Sequence, residues 1–237
     1  MLHHLLAGST ALVLGLPAQA ATGDPVQVRY ERPGSSSTAK AALLLRESGV
    51  LRTRLRLPDK VTVVAKDCGA PKASWDHERR RITFCYELVK QLSKTLTGIA
   101  ETEETLDRRH DTRVDAALAV LFHHQLGHAA TSLYGMRSPS AEALPDRFAA
   151  LTLTAEYGRQ PKTVIAAAEA RHLLGSNAPL HHLGGPTESA TFACHLYGAS
   201  PKAHGRIASA GWLPADRAPG CAQEYSRLKT DLGGYVD

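Results

Sequence analysis

Two histidines four residues apart could bind one metal ion. His124 and His128 lie in the stretch LFHHQLGHAA, residues 121–130. On an α-helix this spacing places both imidazoles on one face, a turn apart, where they can reach a single Zn²⁺. With 12 histidines in 237 residues, such a pair is expected by chance about 0.6 times. The pair therefore needs support from other residues, including a third ligand.

Two carboxylates downstream could supply that support. Glu142 and Asp146 lie four residues apart at the start of a predicted helix. If the turn LYGMRSPS brings this helix back to the histidines, Glu142 can be the third ligand and Asp146 can orient a histidine from behind. The alternative is an exposed acidic pair near a helix N-terminus, where negative charge is favourable. Spacing alone does not decide between the two.

The surrounding sequence predicts a mostly helical chain with a small sheet. Strands are predicted where β-branched residues cluster, over residues 61–68 and 81–87, with a Gly/Pro-containing connection between them. This pattern indicates an α+β fold whose sheet lies in the N-terminal half. Helices are predicted by apolar spacing or alanine content over residues 41–48, 87–100, 114–134, 141–158, 161–175 and 189–198.

The N-terminus is typical of an exported protein. Residues 1–20 contain an apolar run and end in Ala18-Gln19-Ala20, an A-x-A cleavage signature. We therefore expect a signal peptide over 1–20 and a secreted or periplasmic location; an N-terminal helix of the fold is the alternative. Nothing downstream approaches the roughly 18 apolar residues that a membrane span needs.

The rest of the chain is expected to form one domain. Residues 21–40 contain the polar stretch ERPGSSSTAK, which predicts a flexible N-terminal segment. No linker divides residues 41–237, which are long enough for one sizeable core.

The cysteines favour disulfides. An even number after the expected cleavage point, in an exported chain, is typical of disulfide-bonded proteins. Three pairings exist, and we favour the one that closes two local loops, although the other two stay open. A four-cysteine zinc site is the competing interpretation, but the chain has no C-x-x-C pair. The favoured pairs are Cys68 with Cys85 and Cys194 with Cys221.

The net charge of +5 does not indicate a nucleic-acid partner. The arginines at 79–81 follow Asp76 and Glu78, so the charges are mixed along the chain, and aromatic residues make up only 5%. No nucleic-acid-binding motif accompanies them. Charged residues on solvent-exposed faces are the simpler explanation of this net charge.

Taken together, the motifs from about Leu57 to the end of the chain resemble a bacterial family of secreted metallopeptidases, catalogued as a domain of unknown function. The family pattern includes C-G-x-x-x-A, C-Y-E-L, H-E-L-G-H-A, E-D-A-A-D, C-x-x-Y-G and L-P-x-x-R-A-x-x-C-x-x-E-Y. Here these stand, in the same order, as CGAPKA (68–73), CYEL (85–88), HQLGHA (124–129), EALPD (142–146), CHLYG (194–198) and LPADRAPGCAQEY (213–225).

The resemblance implies a zincin-like fold with one zinc ion held by His124, His128 and Glu142. In active members, the glutamate after the first histidine is the general base, which takes a proton from the attacking water and delivers it to the leaving amine. Gln125 stands at that position. An amide cannot accept a proton near neutral pH, and general acid/base catalysis typically contributes about 10² to 10⁴ in rate.

Further departures from the family pattern surround the site. Ala143 replaces the family's first aspartate, and Pro145 replaces an alanine and removes a backbone donor. Either change could displace Glu142. The stretch HHLGGPTESATFAC also lacks the charge that the family carries before C-x-x-Y-G. The prediction is an exported zinc metallopeptidase-family protein that is catalytically impaired, with a peptide or protein ligand as its partner.

Two alternatives remain. The first is an active peptidase in which another residue supplies the base, and the second is a metal-free, disulfide-stapled binding module. The zinc content of the protein distinguishes the metal-free module from a zinc protein. Peptidase activity before and after Gln125→Glu distinguishes an active peptidase from an impaired one. The candidates for a substitute base are Glu188, His181, His182 and His195.

Overall fold

The computed structural model describes residues 26–97, 103–138, 140–177 and 185–236, with only the backbone given for 97, 103–111, 176 and 177. About 60% of the described residues are helical, and a four-stranded sheet lies in the N-terminal half, so the predicted α+β class is confirmed. The strands are β1 (Val26–Tyr30), β2 (Val61–Lys66), β3 (Ala73–Asp76) and β4 (Arg81–Cys85). The helices are α1 (Ser36–Ser48), α2 (Tyr86–Thr97), α3 (Glu103–Leu133), α4 (Ala143–Tyr157), α5 (Pro161–Asn177), α6 (Pro186–Ala199), α7 (Arg206–Ser209) and α8 (Cys221–Leu232).

The sheet has the order β1-β2-β4-β3. β2 pairs in parallel with both β1 and β4, while β3 pairs antiparallel with β4 at the edge. Four of the six residues of β2 are buried, which suits a central parallel strand covered on both faces. The predicted strands over 61–68 and 81–87 are confirmed as β2 and β4. The connection between them contains β3, which the sequence analysis did not predict.

The prediction of a flexible segment over residues 21–40 is wrong for its described part. Val26–Tyr30 forms β1, whose residues pair one by one with β2. The serine-rich stretch after it starts a helix: Ser35 caps α1 by accepting a hydrogen bond from the backbone N–H of Thr38. The serines that suggested a flexible segment are in fact the capping sequence of a helix. Residues 21–25 and the expected signal peptide, 1–20, lie outside the described residues.

α3 is the central helix of the fold. It contacts α2, α4, α5 and the edge strand β3. Every residue from Ala116 to Gly127 is buried, as expected of a helix surrounded by other elements. Within the described ranges, no helix combines the length and apolarity required to cross a membrane.

Two disulfides join neighbouring elements. Cys68 bonds Cys85, linking the residues after β2 to the end of β4, and Cys194 bonds Cys221, linking α6 to α8. The favoured pairing is confirmed. Because all four cysteines are in disulfides, the structure does not contain the alternative four-cysteine zinc site.

Candidate metal centre

The site forms where α4 turns back against α3. The two helices approach closely at Gly127, where a Cβ atom would lie only 2.5 Å from the carbonyl oxygen of Pro145. Pro145 is the third residue of α4, a position whose N–H has no helical acceptor in any case. The proline therefore fits the first turn of α4 without loss of a helical hydrogen bond.

Three side chains converge across this interface. The Nε2 atoms of His124 and His128 lie 3.1 Å apart. The Oε2 atom of Glu142 lies 3.0 Å from Nε2 of His124 and 3.2 Å from Nε2 of His128. Glu142 is the N-cap residue of α4, yet its side chain makes no capping bond, because the carboxylate turns toward the histidines instead. The structure thus brings together the three residues predicted as ligands.

The donor atoms have the type and spacing that a zinc ion requires. Ligand atoms about 2.0 to 2.1 Å from a tetrahedral zinc lie about 3.3 to 3.4 Å from one another. The three observed separations, 3.0, 3.1 and 3.2 Å, are only slightly shorter. Two imidazoles and one carboxylate are also a donor set that catalytic zinc sites use. These residues therefore fit a zinc ion with little movement.

Asp146 lies behind His124, on the side away from the other two donors. Its Oδ1 atom lies 2.7 Å from Nδ1 of His124. An ionised carboxylate can only accept, so Nδ1 of His124 donates to Asp146 and Nε2 is the ring nitrogen that faces the centre. Asp146 is buried, so Glu142 and Asp146 are not the exposed acidic pair that the sequence left open.

The charges of the cluster favour a cation at its centre. Hydrogen bonding to His124 lowers the pKa of Glu142. Burial raises the pKa of Asp146, but hydrogen bonds and charges from His124 and Arg171 outweigh burial and hold that pKa below its ordinary value. Burial lowers the pKa of His124, while Asp146 and Glu142 raise it to a net value above normal. Both carboxylates are therefore ionised near neutral pH, and they attract a proton or a metal ion.

The cluster can be reached from one side. The side chain of His124 is fully buried, whereas those of His128 and Glu142 are 25% and 31% exposed. A ligand from solvent therefore has access to the centre past His128 and Glu142.

Gln125, the residue directly after His124, has an amide side chain and cannot supply a base. Gln125 follows His124 directly and is 2% exposed, so it is enclosed within the helical layer. The third histidine of the stretch, His123, also does not join the cluster: its Nδ1 donates to the carbonyl oxygen of Ala119 in the preceding turn. Burial lowers the pKa of His123 to about 4.

The substitute bases have different positions. Glu188 is exposed in the first turn of α6. His195 is buried on the same helix, and burial lowers its pKa to about 4, so its imidazole is neutral at pH 7. His181 and His182 lie outside the described residues. Neither Glu188 nor His195 is among the three residues whose donor atoms converge.

Arg171 and Ser189 adjoin the cluster, although neither was predicted from the sequence. Arg171 donates from Nη2 to Oδ2 of Asp146 over 3.0 Å and from Nη1 to Oγ of Ser189 over 2.9 Å. A signal was available: position 171 continues the spacing of Val164, Ala168 and Leu174, which are all buried on α5. A charged residue within a buried stripe indicates a buried partner of opposite charge.

Two histidines from one helix and a carboxylate from the next form a group that could hold one metal ion, with the donor types that zinc peptidases use. Comparison with family models gives the same class: the family described as "Putative metallopeptidase" matches residues 30–233. The chain belongs to this family, and the resemblance inferred from the motifs is confirmed. Comparisons with curated proteins and with solved structures found no match.

Proposed function

We propose that this chain is an exported zinc-binding member of the metallopeptidase family whose peptide-bond hydrolysis is impaired by glutamine at position 125. The observation that carries the proposal is the convergence of three donor atoms from His124, His128 and Glu142 within 3.2 Å of one another. Family membership supplies the reaction class. The two disulfides support an oxidising compartment such as the periplasm or the exterior.

Each residue has a defined part in this proposal. A zinc ion held by His124, His128 and Glu142 would supply Lewis acidity, which polarises a carbonyl group and lowers the pKa of water. Asp146 holds the proton on Nδ1 of His124 and so keeps Nε2 available. Gln125 can donate and accept hydrogen bonds, but it cannot take up a proton.

Because the metal-binding residues are distinct from the residue that should act as the base, we expect peptide binding without efficient turnover. The ligands and the residue behind them are intact, so a peptide carbonyl can still approach past the exposed edges of His128 and Glu142. The lost general base lowers the rate by about 10² to 10⁴ relative to a glutamate-bearing enzyme. The proposed partner is accordingly a peptide or an extended protein segment that is held rather than rapidly cleaved.

Zinc content is the first test. Protein purified without an affinity His-tag should contain about one zinc per chain by elemental mass spectrometry, and the His128→Ala variant should contain almost none. If wild-type protein takes up no zinc after reconstitution at neutral pH, the proposal fails, and the metal-free binding module becomes the better interpretation.

Restoring the base tests the impairment. Gln125→Glu should raise hydrolysis of a fluorogenic peptide library by about 10² or more, with zinc content unchanged. The matched control is Gln125→Glu combined with His128→Ala, which should be inactive. A wild-type activity equal to that of Gln125→Glu would contradict the impairment and indicate that another residue acts as the base.

A further inference from the structure

Arg171 is a fully buried cation in a helix made largely of small apolar residues. It is 0% exposed and is the largest of the completely buried side chains in the described part of the molecule. It lies on α5 and forms an ion pair with Asp146 on α4. The contacts described above connect this arginine to His124 through Asp146.

The geometry of Asp146 connects Arg171 to the metal centre. One carboxylate oxygen, Oδ1, accepts from His124, and the other, Oδ2, accepts from Arg171. With both oxygens engaged on opposite sides, the carboxylate cannot rotate without breaking one of these bonds. The orientation of His124 is therefore coupled to the position of Arg171.

Arg171 is itself held by two residues of α6. Its Nη1 atom donates to Oγ of Ser189, and that hydroxyl donates in turn to the carbonyl oxygen of Arg171 over 3.3 Å. The ring of Phe192, one turn further along α6, lies 5.9 Å from the guanidinium carbon. The contact series consequently runs from α6 through α5 and α4 to the histidine on α3.

The backbone of α5 makes room for this arrangement. Gly175 lies one turn after Arg171, and a Cβ atom there would lie 2.1 Å from Oγ of Ser189 and 3.3 Å from Nη1 of Arg171. Glycine at this position thus allows α6 to place Ser189 against the guanidinium. This is a second, independent feature of the sequence that serves the same contact.

Stability alone is a weak reason for such a pair. Replacing a buried ion pair with well-packed apolar residues is often neutral or stabilising. By contrast, residues that orient a metal-binding histidine typically change metal affinity 10- to 100-fold when removed. Arg171 is buried and pairs with the carboxylate that contacts His124. Its role is therefore better explained by metal binding than by fold stability.

We propose that Arg171, held by Ser189, is a positioning residue of the metal centre: it fixes the Asp146 carboxylate and thereby keeps His124 in the form that presents Nε2 to a metal ion. The inference rests on the proposed zinc site. It adds α5 and α6 to the elements on which metal binding depends.

A double-mutant cycle on zinc affinity tests the coupling. Arg171→Met and Asp146→Asn should each weaken zinc binding 10- to 100-fold, and the double variant should be no weaker than about the worse single variant. Arg171→Lys keeps the charge and should recover part of the loss. Arg113→Met is the matched control, because Arg113 joins α3 to α5 through an ion pair with Glu169 at 2.8 Å, and that ion pair involves neither Asp146 nor the three donor residues. The zinc affinity of this variant should be unchanged.

A measurement on the metal-free protein separates this inference from the proposed function. The ¹⁵N shifts of the His124 ring should report a protonated Nδ1 in wild type and in Arg171→Lys, and a mixture of tautomers in Arg171→Met. The positioning role would be overturned if the double variant lost the product of the two single losses in zinc affinity. It would also be overturned if folded Arg171→Met kept the wild-type tautomer of His124. A wild-type protein that binds no zinc would overturn the proposed function instead, and the tautomer result would still decide how Arg171 acts on His124.

Discussion

Two regions of the molecule each bring three residues with metal-ligating side chains together. In the helical half these are His124, His128 and Glu142, and at the sheet they are Cys68, Cys85 and Glu87; in both groups the ligand atoms lie within 4.8 Å of one another. The resemblance ends there. The cysteine sulfurs are bonded to each other, whereas the imidazole and carboxylate donors of the helical group all face a common point.

Glu87 shows the same difference. Its carboxylate accepts hydrogen bonds from the backbone N–H groups of Cys68 and Gly69, at 3.1 and 2.8 Å. Glu142 makes no such capping bond and directs its oxygen to two histidines. Proximity of ligand types is therefore not enough to define a metal site. The state of the donor atoms matters as well: the sulfurs of Cys68 and Cys85 are covalently bonded, and the carboxylate of Glu87 accepts backbone hydrogen bonds.

The sharpest contrast comes from the two glutamates. Glu142→Gln removes an anionic ligand, so we expect zinc affinity to fall by more than about 100-fold, beyond the loss typical of an outer partner. Glu87→Gln, the matched control at the other cluster, should leave zinc affinity unchanged. It should lower the free energy of unfolding by about 1 kcal/mol, because hydrogen bonds to a charged acceptor are replaced by weaker ones.

Isothermal titration with zinc and urea unfolding of both variants measure the two effects. Comparable losses of zinc affinity in Glu87→Gln and Glu142→Gln would mean that the cysteine cluster also contributes to binding. The distinction between the two regions would then be wrong.

The disulfide gives the second contrast. Replacing both Cys68 and Cys85 with serine opens a loop that spans 17 positions of sequence, which should reduce the free energy of unfolding by about 3 kcal/mol. Zinc content should stay at one ion per chain, since the sulfurs are not donors. The corresponding change at Cys194 and Cys221 controls for disulfide loss elsewhere, and a fall in zinc content specific to Cys68 and Cys85 would contradict the assignment.

Features set by local spacing could be predicted from the sequence. The i,i+4 histidines and the i,i+4 carboxylates each occupy one helix face, so only the meeting of the two helices had to be supplied by the fold. β2 and β4 are dense in β-branched residues and were predicted for the same reason. β3 was missed because it has only four residues and lies among Gly and Pro residues.

Features that depend on three or more elements could not be predicted. Arg171 acquires its role because α4 and α6 both pack on α5, and no spacing within one segment reports that arrangement. β1 was missed for a related reason: its strand pattern is short, and its pairing partner, β2, begins 31 positions after Tyr30. The buried stripe of α5 indicated that Arg171 is special, but only the tertiary structure identifies Asp146 as its partner.

Gly127 offers the mildest test of what brings the helical donors together. Gly127→Ala places a Cβ atom within 3 Å of the carbonyl oxygen, Cα and carbonyl carbon of Pro145, none of which can move without shifting the start of α4. Glu142 lies at that start, so its carboxylate should be displaced from the histidines. Overpacking of this kind costs roughly 1 to 3 kcal/mol, and zinc affinity should fall together with stability.

Gly69→Ala is the matched control, because a Cβ atom there meets nothing within 4 Å, although the residue has a positive φ of 74°. Urea unfolding should show a loss of stability for both variants, because alanine at the positive φ of position 69 is strained and alanine at position 127 overpacks. Zinc titration should show weaker binding for Gly127→Ala alone. If Gly127→Ala destabilises the protein and leaves zinc affinity intact, the close approach of α3 and α4 serves packing only. The donor geometry would then be tolerant of a shift in α4. The two regions would differ only in whether their donor atoms are already bonded, and not in how closely their helices must approach.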